Sequence, residues 1–145
     1  MVRERRFRVL EHTADAYIEA YGDTLEEAFE NAAFATMEVM TDVEKVEPKI
    51  EDDVEVEAHD EHALLYDWIE ELVIRFETTG KLYSRFKISS VEETLGGFRL
   101  RAKIWGEPFD PQRHVQKVGV KAITYHRMEI VRKPEKTTVK FILDI

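Results

Sequence analysis

Residues 60–80 read DEHALLYDWIEELVIRFETTG, and this stretch decides much of the fold. Its apolar residues recur every three or four positions, which is the period of one face of an α-helix. Asp60 precedes the pattern and can cap the helix N-terminus, while Gly80 is placed to end the helix near Thr79. The stretch therefore predicts a one-sided helix that lies on a sheet. Its apolar face consists of Leu64, Leu65, Trp68, Ile69, Leu72, Val73 and Phe76.

A second stretch with the helical period lies earlier in the chain. Thr24 and Glu27 have the spacing of a capping box, in which two side chains accept hydrogen bonds from main-chain N–H groups at the helix start. An apolar stripe then runs to about residue 41, so we predict a second one-sided helix. The stripe consists of Leu25, Ala28, Phe29, Ala32, Thr36 and Met40.

Most of the remaining chain alternates between apolar and polar residues, which is the period of a half-buried strand. Gly96-Gly97 predicts a tight hairpin after a strand that ends near Glu93. Strands outnumber helices and cluster late in the chain. We therefore predict an α+β fold, with a largely antiparallel sheet packed against two main helices as a two-layer sandwich. The other predicted strands lie at 6–10, 17–21, 54–58, 98–105, 118–124, 128–132 and 139–144.

Length and composition limit the classes of protein that are possible. The chain has 145 residues, a formal net charge of −9 and no Cys, so we expect a single domain over residues 1–145. The lack of Cys excludes disulfides, thiol catalysis and thiolate zinc sites. The negative charge disfavours unaided RNA binding, because that binding depends on Lys and Arg neutralising phosphates. No long apolar run or signal peptide is visible, which predicts a soluble, cytoplasmic protein.

A long loop is predicted at residues 106–114, where Pro108 and Pro111 keep the chain out of the sheet. Loops of this size in compact domains are often functional. A flexible surface loop without a function fits the pattern equally well.

Two acidic residues near opposite ends of the chain are the first candidates for a site. Asp15 ends the polar segment EHTAD at residues 11–15, where it could also simply bond main-chain N–H groups of a turn. Asp144 follows Phe141 and Leu143, which alternate as core residues up to the end of the sequence. Two carboxylates ~4 Å apart repel each other by about 4 kcal/mol at an effective dielectric constant of ~20. If these two converge, they must become protonated, pair with a base or bind a cation. Oxygen ligands suit Ca²⁺, Mg²⁺ or Mn²⁺.

Basic residues after the loop are the next candidates. Lys121 is out of phase with Val120 and Ala122, so it should face solvent or a site, and His126 ends that strand. Both could equally be ordinary surface residues. Nucleotide-binding, nucleophile-elbow and zinc-ribbon motifs do not occur in the sequence, so independent catalysis is poorly supported.

Five motifs occur in order along nearly the whole chain: residues 11–15 (EHTAD), 21–29 (YGDTLEEAF), the leucine-rich helix with Asp67-Trp68, residues 120–126 (VKAITYH) and the closing Asp144-Ile145. Together they resemble the archease family. The resemblance implies a small non-catalytic partner of the tRNA-splicing RNA ligase, which promotes guanylylation of the ligase histidine and multiple turnover. An alternative for some family members is a chaperone-like or specificity role towards a tRNA cytosine-5 methyltransferase.

The resemblance also implies roles for particular residues. It assigns a divalent cation, Ca²⁺ first with Mg²⁺ or Mn²⁺ as alternatives, to Asp15 and Asp144, with a main-chain or terminal oxygen of Ile145. We expect tRNA to be reached only through the protein partner, and no membrane to be involved. The residues expected to orient phosphate or partner groups are His12, His114, Lys121 and His126.

Overall fold

The computed structural model describes residues 6–10 and 15–145. A single 3₁₀ turn at Val43–Lys45 follows the first helix. The helices are α1 (Leu25–Met40) and α2 (Glu61–Thr79), and the strands are β1 (Phe7–Val9), β2 (Asp15–Gly22), β3 (Ile50–Ala58), β4 (Lys81–Thr94), β5 (Gly97–Pro108), β6 (Ala122–Lys133) and β7 (Lys136–Asp144).

Helix α1 begins at the predicted capping box. Thr24 Oγ1 accepts a hydrogen bond from the Glu27 N–H at 3.1 Å. The Glu27 carboxylate accepts from the Asp23 N–H at 3.0 Å, so the return bond of the box closes one residue before the capping residue. Two otherwise unpaired main-chain donors at the helix start are thereby satisfied.

Helix α2 also has the predicted ends. Asp60 Oδ1 accepts from the Ala63 N–H at 2.7 Å, and Gly80 ends the helix with φ 73°, a left-handed conformation that favours glycine. Trp68, which is fully buried, donates from Nε1 to the Phe29 carbonyl at 2.9 Å and so joins α2 to α1.

The strands form two antiparallel sheets. Sheet A has the order β1-β2-β7-β6, and sheet B has the order β3-β5-β4. Helix α1 contacts β2 and β7 of sheet A and β4 of sheet B, while α2 contacts β6 of sheet A and both β3 and β5 of sheet B. The predicted α+β class with antiparallel strands and two main helices is confirmed. The sequence did not indicate that the strands divide into two sheets which share both helices.

The burial of α1 differs from the predicted single stripe. Ala33, Ala35 and Met37 lie outside that stripe and are also fully buried. Because α1 contacts both sheets, more than one side of the helix is covered. The predicted stripe of α1 is buried, but the buried face is wider than predicted.

Strand β6 also differs from the prediction. The sequence pattern predicted separate strands at 118–124 and 128–132, but one strand runs through Ala122–Lys133. Its pairing with β7 is interrupted between Thr124 and Glu129. The predicted loop starts later than expected as well, because β5 continues to Pro108. In the part of the chain that the structure describes, neither helix is long and apolar enough to cross a membrane.

Candidate functional site

Asp15 and Asp144 meet at one end of sheet A. Asp15 is the first residue of β2, Asp144 is the last residue of β7, and the two are direct cross-strand partners. Directly opposed residues of an antiparallel pair have Cβ atoms about 4.5–5.5 Å apart on the same face. The neighbouring positions Ala16 and Leu143 lie in the core, so the two acidic side chains are on the opposite face. We call this side, turned away from the helices, the outer face of sheet A.

Within the described residues, the charges of this pair are not balanced by a nearby base. Among residues 6–10 and 15–145, no Lys, Arg or His lies within 4.0 Å of either carboxylate. Like charges directly opposite each other on a sheet are destabilising, and a bound cation would reverse that repulsion. Asp144 is exposed and Asp15 is partly exposed, so an ion from solvent could reach them.

The donor set fits a hard cation. Both side chains offer only oxygen, which Ca²⁺ and Mg²⁺ prefer. Within the described ranges, no group of three or more His, Asp or Glu side chains is placed to hold a metal ion. A cation on Asp15 and Asp144 would therefore complete its six or more ligands with main-chain oxygen and water.

The neighbours of the acidic pair are only partly those that the sequence predicted. The Lys121 N–H donates to the Asp144 carbonyl at 2.8 Å, so the start of β6 lies beside Asp144. The Lys121 side chain is exposed, Ile145 packs against the core, and His126 is exposed in the interrupted part of β6. His12 lies outside the described residues.

His114 lies inside the protein and not at the surface. Its side chain is fully buried, with Nε2 3.0 Å from Glu107 Oε2, and its Nδ1 accepts from the Asp110 N–H at 2.8 Å. In this arrangement a phosphate or a partner could not reach His114 without displacing the loop. The side chain instead holds the loop after β5 in place.

Glu107 is the centre of this buried cluster. Besides His114, its carboxylate accepts from the Arg113 guanidinium and from the Glu47 N–H, the latter at 2.8 Å. Burial would raise the pKa of Glu107, but the hydrogen bonds from Arg113, Glu47 and His114 outweigh burial and lower the pKa to about 2. No local motif marks Glu107, because its partners are brought together only by the fold.

A cavity of about 550 Å³ lies at the other end of sheet A. Tyr21, Gly22 and Lys136 line it, and they belong to the ends of β2 and β7 that are remote from Asp15 and Asp144. The acidic pair therefore belongs to an open surface and not to this cavity.

Residues 7–145 match the Archease protein family (MTH1598/TM1083). The chain belongs to the archease family. An archease from Sulfurisphaera tokodaii is 45% identical over 141 residues, which cover 97% of this chain and 99% of the relative. An archease from Pyrococcus furiosus is 47% identical over 131 residues, covering 90% of this chain and 92% of the relative.

Two solved structures have the same architecture. Protein 1598 of Methanobacterium thermoautotrophicum is 38% identical, with a TM-score of 0.81 and coverage of 97% of this chain and 99% of that one. An archease from Thermotoga maritima, described as a possible chaperone, is 17% identical, with a TM-score of 0.62 and full coverage of both chains. The second likeness concerns the fold alone.

Proposed function

We propose that the protein is a non-catalytic activator of a tRNA-splicing RNA ligase, which promotes guanylylation and multiple turnover of the ligase. A divalent cation on Asp15 and Asp144, with an oxygen of Ile145, is needed for this activity. Lys121 and His126 contact the phosphate or the partner beside the cation. The observation that carries the proposal is the direct pairing of Asp15 with Asp144 on the outer face of sheet A.

The distribution of bases supports access to RNA through a partner. On sheet B, the basic side chains of β5 are paired with acids of the neighbouring strand β3, which reduces the positive charge that these residues offer to phosphates. These ion pairs are Arg99 with Glu55 and Glu57, Arg101 with Glu55, and Lys103 with Glu51 and Asp53. With a formal net charge of −9 as well, we propose that the protein reaches tRNA through a ligase that supplies the basic surface.

The test is guanylylation of the ligase over many turnovers with added Ca²⁺, Mg²⁺ or Mn²⁺. We expect Asp15→Asn to abolish stimulation, because a neutral amide is a poor ligand for a hard cation. The matched control is Asp53→Asn, which removes the same charge from an exposed position on sheet B and should stimulate normally. Undiminished stimulation by Asp15→Asn would rule out the assigned site.

A second candidate is chaperone-like assistance or specificity control of a tRNA cytosine-5 methyltransferase. The archease resemblance implies this role for some family members, and the Thermotoga maritima protein is itself described as a possible chaperone. In this case the protein should raise the yield of soluble, active methyltransferase, and Asp15→Asn should do so equally well. In both cases we expect the protein alone to turn over neither RNA nor nucleotides.

A further inference from the structure

Strand β6 carries a bulge beside the acidic pair. Thr124 pairs with Ile142 and Glu129 with Lys140, so residues 125–128 of β6 lie opposite a single residue of β7. Within the bulge Arg127 has φ 59°, and it is the only non-glycine residue with positive φ in the described part of the chain. This left-handed conformation is unfavourable for a side chain with a Cβ atom. Such strain is often retained at functional positions.

The strained conformation directs Arg127 onto the outer face of sheet A. The Arg127 guanidinium carbon lies 4.6 Å from the centre of the Tyr17 ring, and Tyr17 is only 6% exposed. Tyr17 is two residues along β2 from Asp15, on the same face, and its partner Ile142 is two residues along β7 from Asp144. Successive residues on one face of a strand are ~7 Å apart. Because the Arg127 guanidinium lies over Tyr17, it is about one such step from the acidic pair.

Arg127 has no carboxylate partner within ion-pair distance among the residues that the structure describes. The acids further along the same face are paired with other bases, since Glu19 pairs with Arg8 and Lys140, and Lys140 also with Glu129. The exposed guanidinium keeps its N–H donors available while one of its faces stacks on Tyr17. A guanidinium held in this way is suited to bind two phosphate oxygens at once.

We propose that Arg127 and the Asp15–Asp144 pair form one composite site for a metal-bound phosphate group. The two carboxylates hold the cation, and the phosphate lies between the cation and the Arg127 guanidinium. Without the cation the carboxylates repel the phosphate, so its binding requires the metal ion. This inference rests on the proposed cation site and adds to it Arg127 as a further binding residue and the dependence of phosphate binding on the metal ion.

The test measures binding and not activation of a ligase. Calorimetry of the full chain is carried out first with Mn²⁺ alone and then with inorganic pyrophosphate at a fixed concentration of free Mn²⁺. The variants are Arg127→Gln, Arg127→Lys and Arg127→Gly, and the control is Arg101→Gln, which removes an exposed positive charge from sheet B. Two further arms replace pyrophosphate with a nucleoside triphosphate or with a short RNA that ends in a 3′-phosphate, and so distinguish the sources of the phosphate.

We expect Mn²⁺ alone to bind the wild type and all Arg127 variants within about twofold of one another. Affinity for pyrophosphate should fall about tenfold or more in Arg127→Gln and less in Arg127→Lys, and should not change in Arg101→Gln. Arg127→Gly should lose pyrophosphate binding without a loss of Tm, because glycine relieves the backbone strain.

Two results would overturn the inference, and they can be told apart. The composite site is ruled out if pyrophosphate affinity does not depend on Arg127 or if pyrophosphate does not bind at all. If Mn²⁺ still binds in that case, the proposed cation site stands. Failure of the wild type to bind Mn²⁺ removes the proposed cation site itself, and the inference with it.

Discussion

At the scale of single residues, Glu107 shows how one buried charge organises a loop. Glu107 is 3% exposed, and its carboxylate accepts hydrogen bonds from Glu47, Arg113 and His114. Hydrogen bonds to a charged acceptor are stronger than those between neutral groups, and the buried His114 depends on this acceptor. Glu107 therefore connects the loop after β5 with the segment that follows α1.

Replacing Glu107 should destabilise the protein at neutral pH. We expect Glu107→Gln to lower the free energy of unfolding by about 1–3 kcal/mol, because Arg113 and His114 lose a charged acceptor. Urea denaturation followed by circular dichroism measures the change. Glu135→Gln, at an exposed position in the turn between β6 and β7, is the control and should be within about 0.5 kcal/mol of wild type.

The lowered pKa of Glu107 also predicts a dependence on pH. Because the pKa in the folded state is about 2 and the usual value is 4.5, this carboxyl contributes stability that is complete above pH 4.5 and lost as the pH falls towards 2. The difference in unfolding free energy between wild type and Glu107→Gln should shrink over that range. A difference that stays constant down to pH 2 would contradict the low pKa.

At the scale of elements, the contact between α1 and sheet A depends on a position without a side chain. A Cβ atom at Gly22, the last residue of β2, would lie 2.3 Å from the Ala28 main-chain nitrogen. That distance is far shorter than a van der Waals contact, so a larger residue would push α1 away from the sheet.

A matched pair of glycine variants tests this contact. We expect Gly22→Ala to lower the free energy of unfolding by about 1–3 kcal/mol, in the range of overpacked cores. Gly119→Ala places its methyl group where no atom lies within 4 Å, so its effect should be between neutral and about 1 kcal/mol stabilising. Thermal melts of both variants measure the effect of each methyl group. If Gly22→Ala and Gly119→Ala have equal Tm values, α1 adapts to the extra methyl group at position 22.

At the scale of the whole molecule, the cation site would join segments from opposite ends of the chain. Asp15 and Asp144 lie 129 positions apart in sequence and become neighbours only because β2 pairs with β7 in the middle of sheet A. A ligand that binds only the folded state stabilises the protein by about 2.7 kcal/mol at one hundred times its Kd.

Saturating Ca²⁺ should therefore raise the Tm of the wild type by about 5–10 °C, given about 2–4 °C per kcal/mol for a chain of this size. Asp144→Asn should lose this increase, and without Ca²⁺ its Tm should equal or exceed that of wild type, because the repulsion from Asp15 is gone. Asp53→Asn is the control and should keep the increase. An equal increase in Asp144→Asn would contradict cation binding at this pair.

The successes and failures of prediction follow from the range of the interactions involved. The ends of α2 were predicted correctly because Asp60 and Gly80 act on main-chain groups only a few residues away. The burial of Ala33 and Ala35 was missed, since it depends on a second sheet that covers α1. The left-handed Arg127 was missed too, because nothing in its neighbouring residues requires positive φ.

The sequence by itself determined the α+β class, both helices with their caps, the membership of a family through ordered motifs, and the two acids worth examining. These features are encoded by local periodicity and by short contiguous motifs. Only the tertiary structure decided that Asp15 faces Asp144, that His114 is buried against Glu107, and that Arg127 lies over Tyr17 on the outer face of sheet A. Each of these contacts joins separate segments of the chain. Their geometry is set by strand pairing and register, which no local pattern specifies.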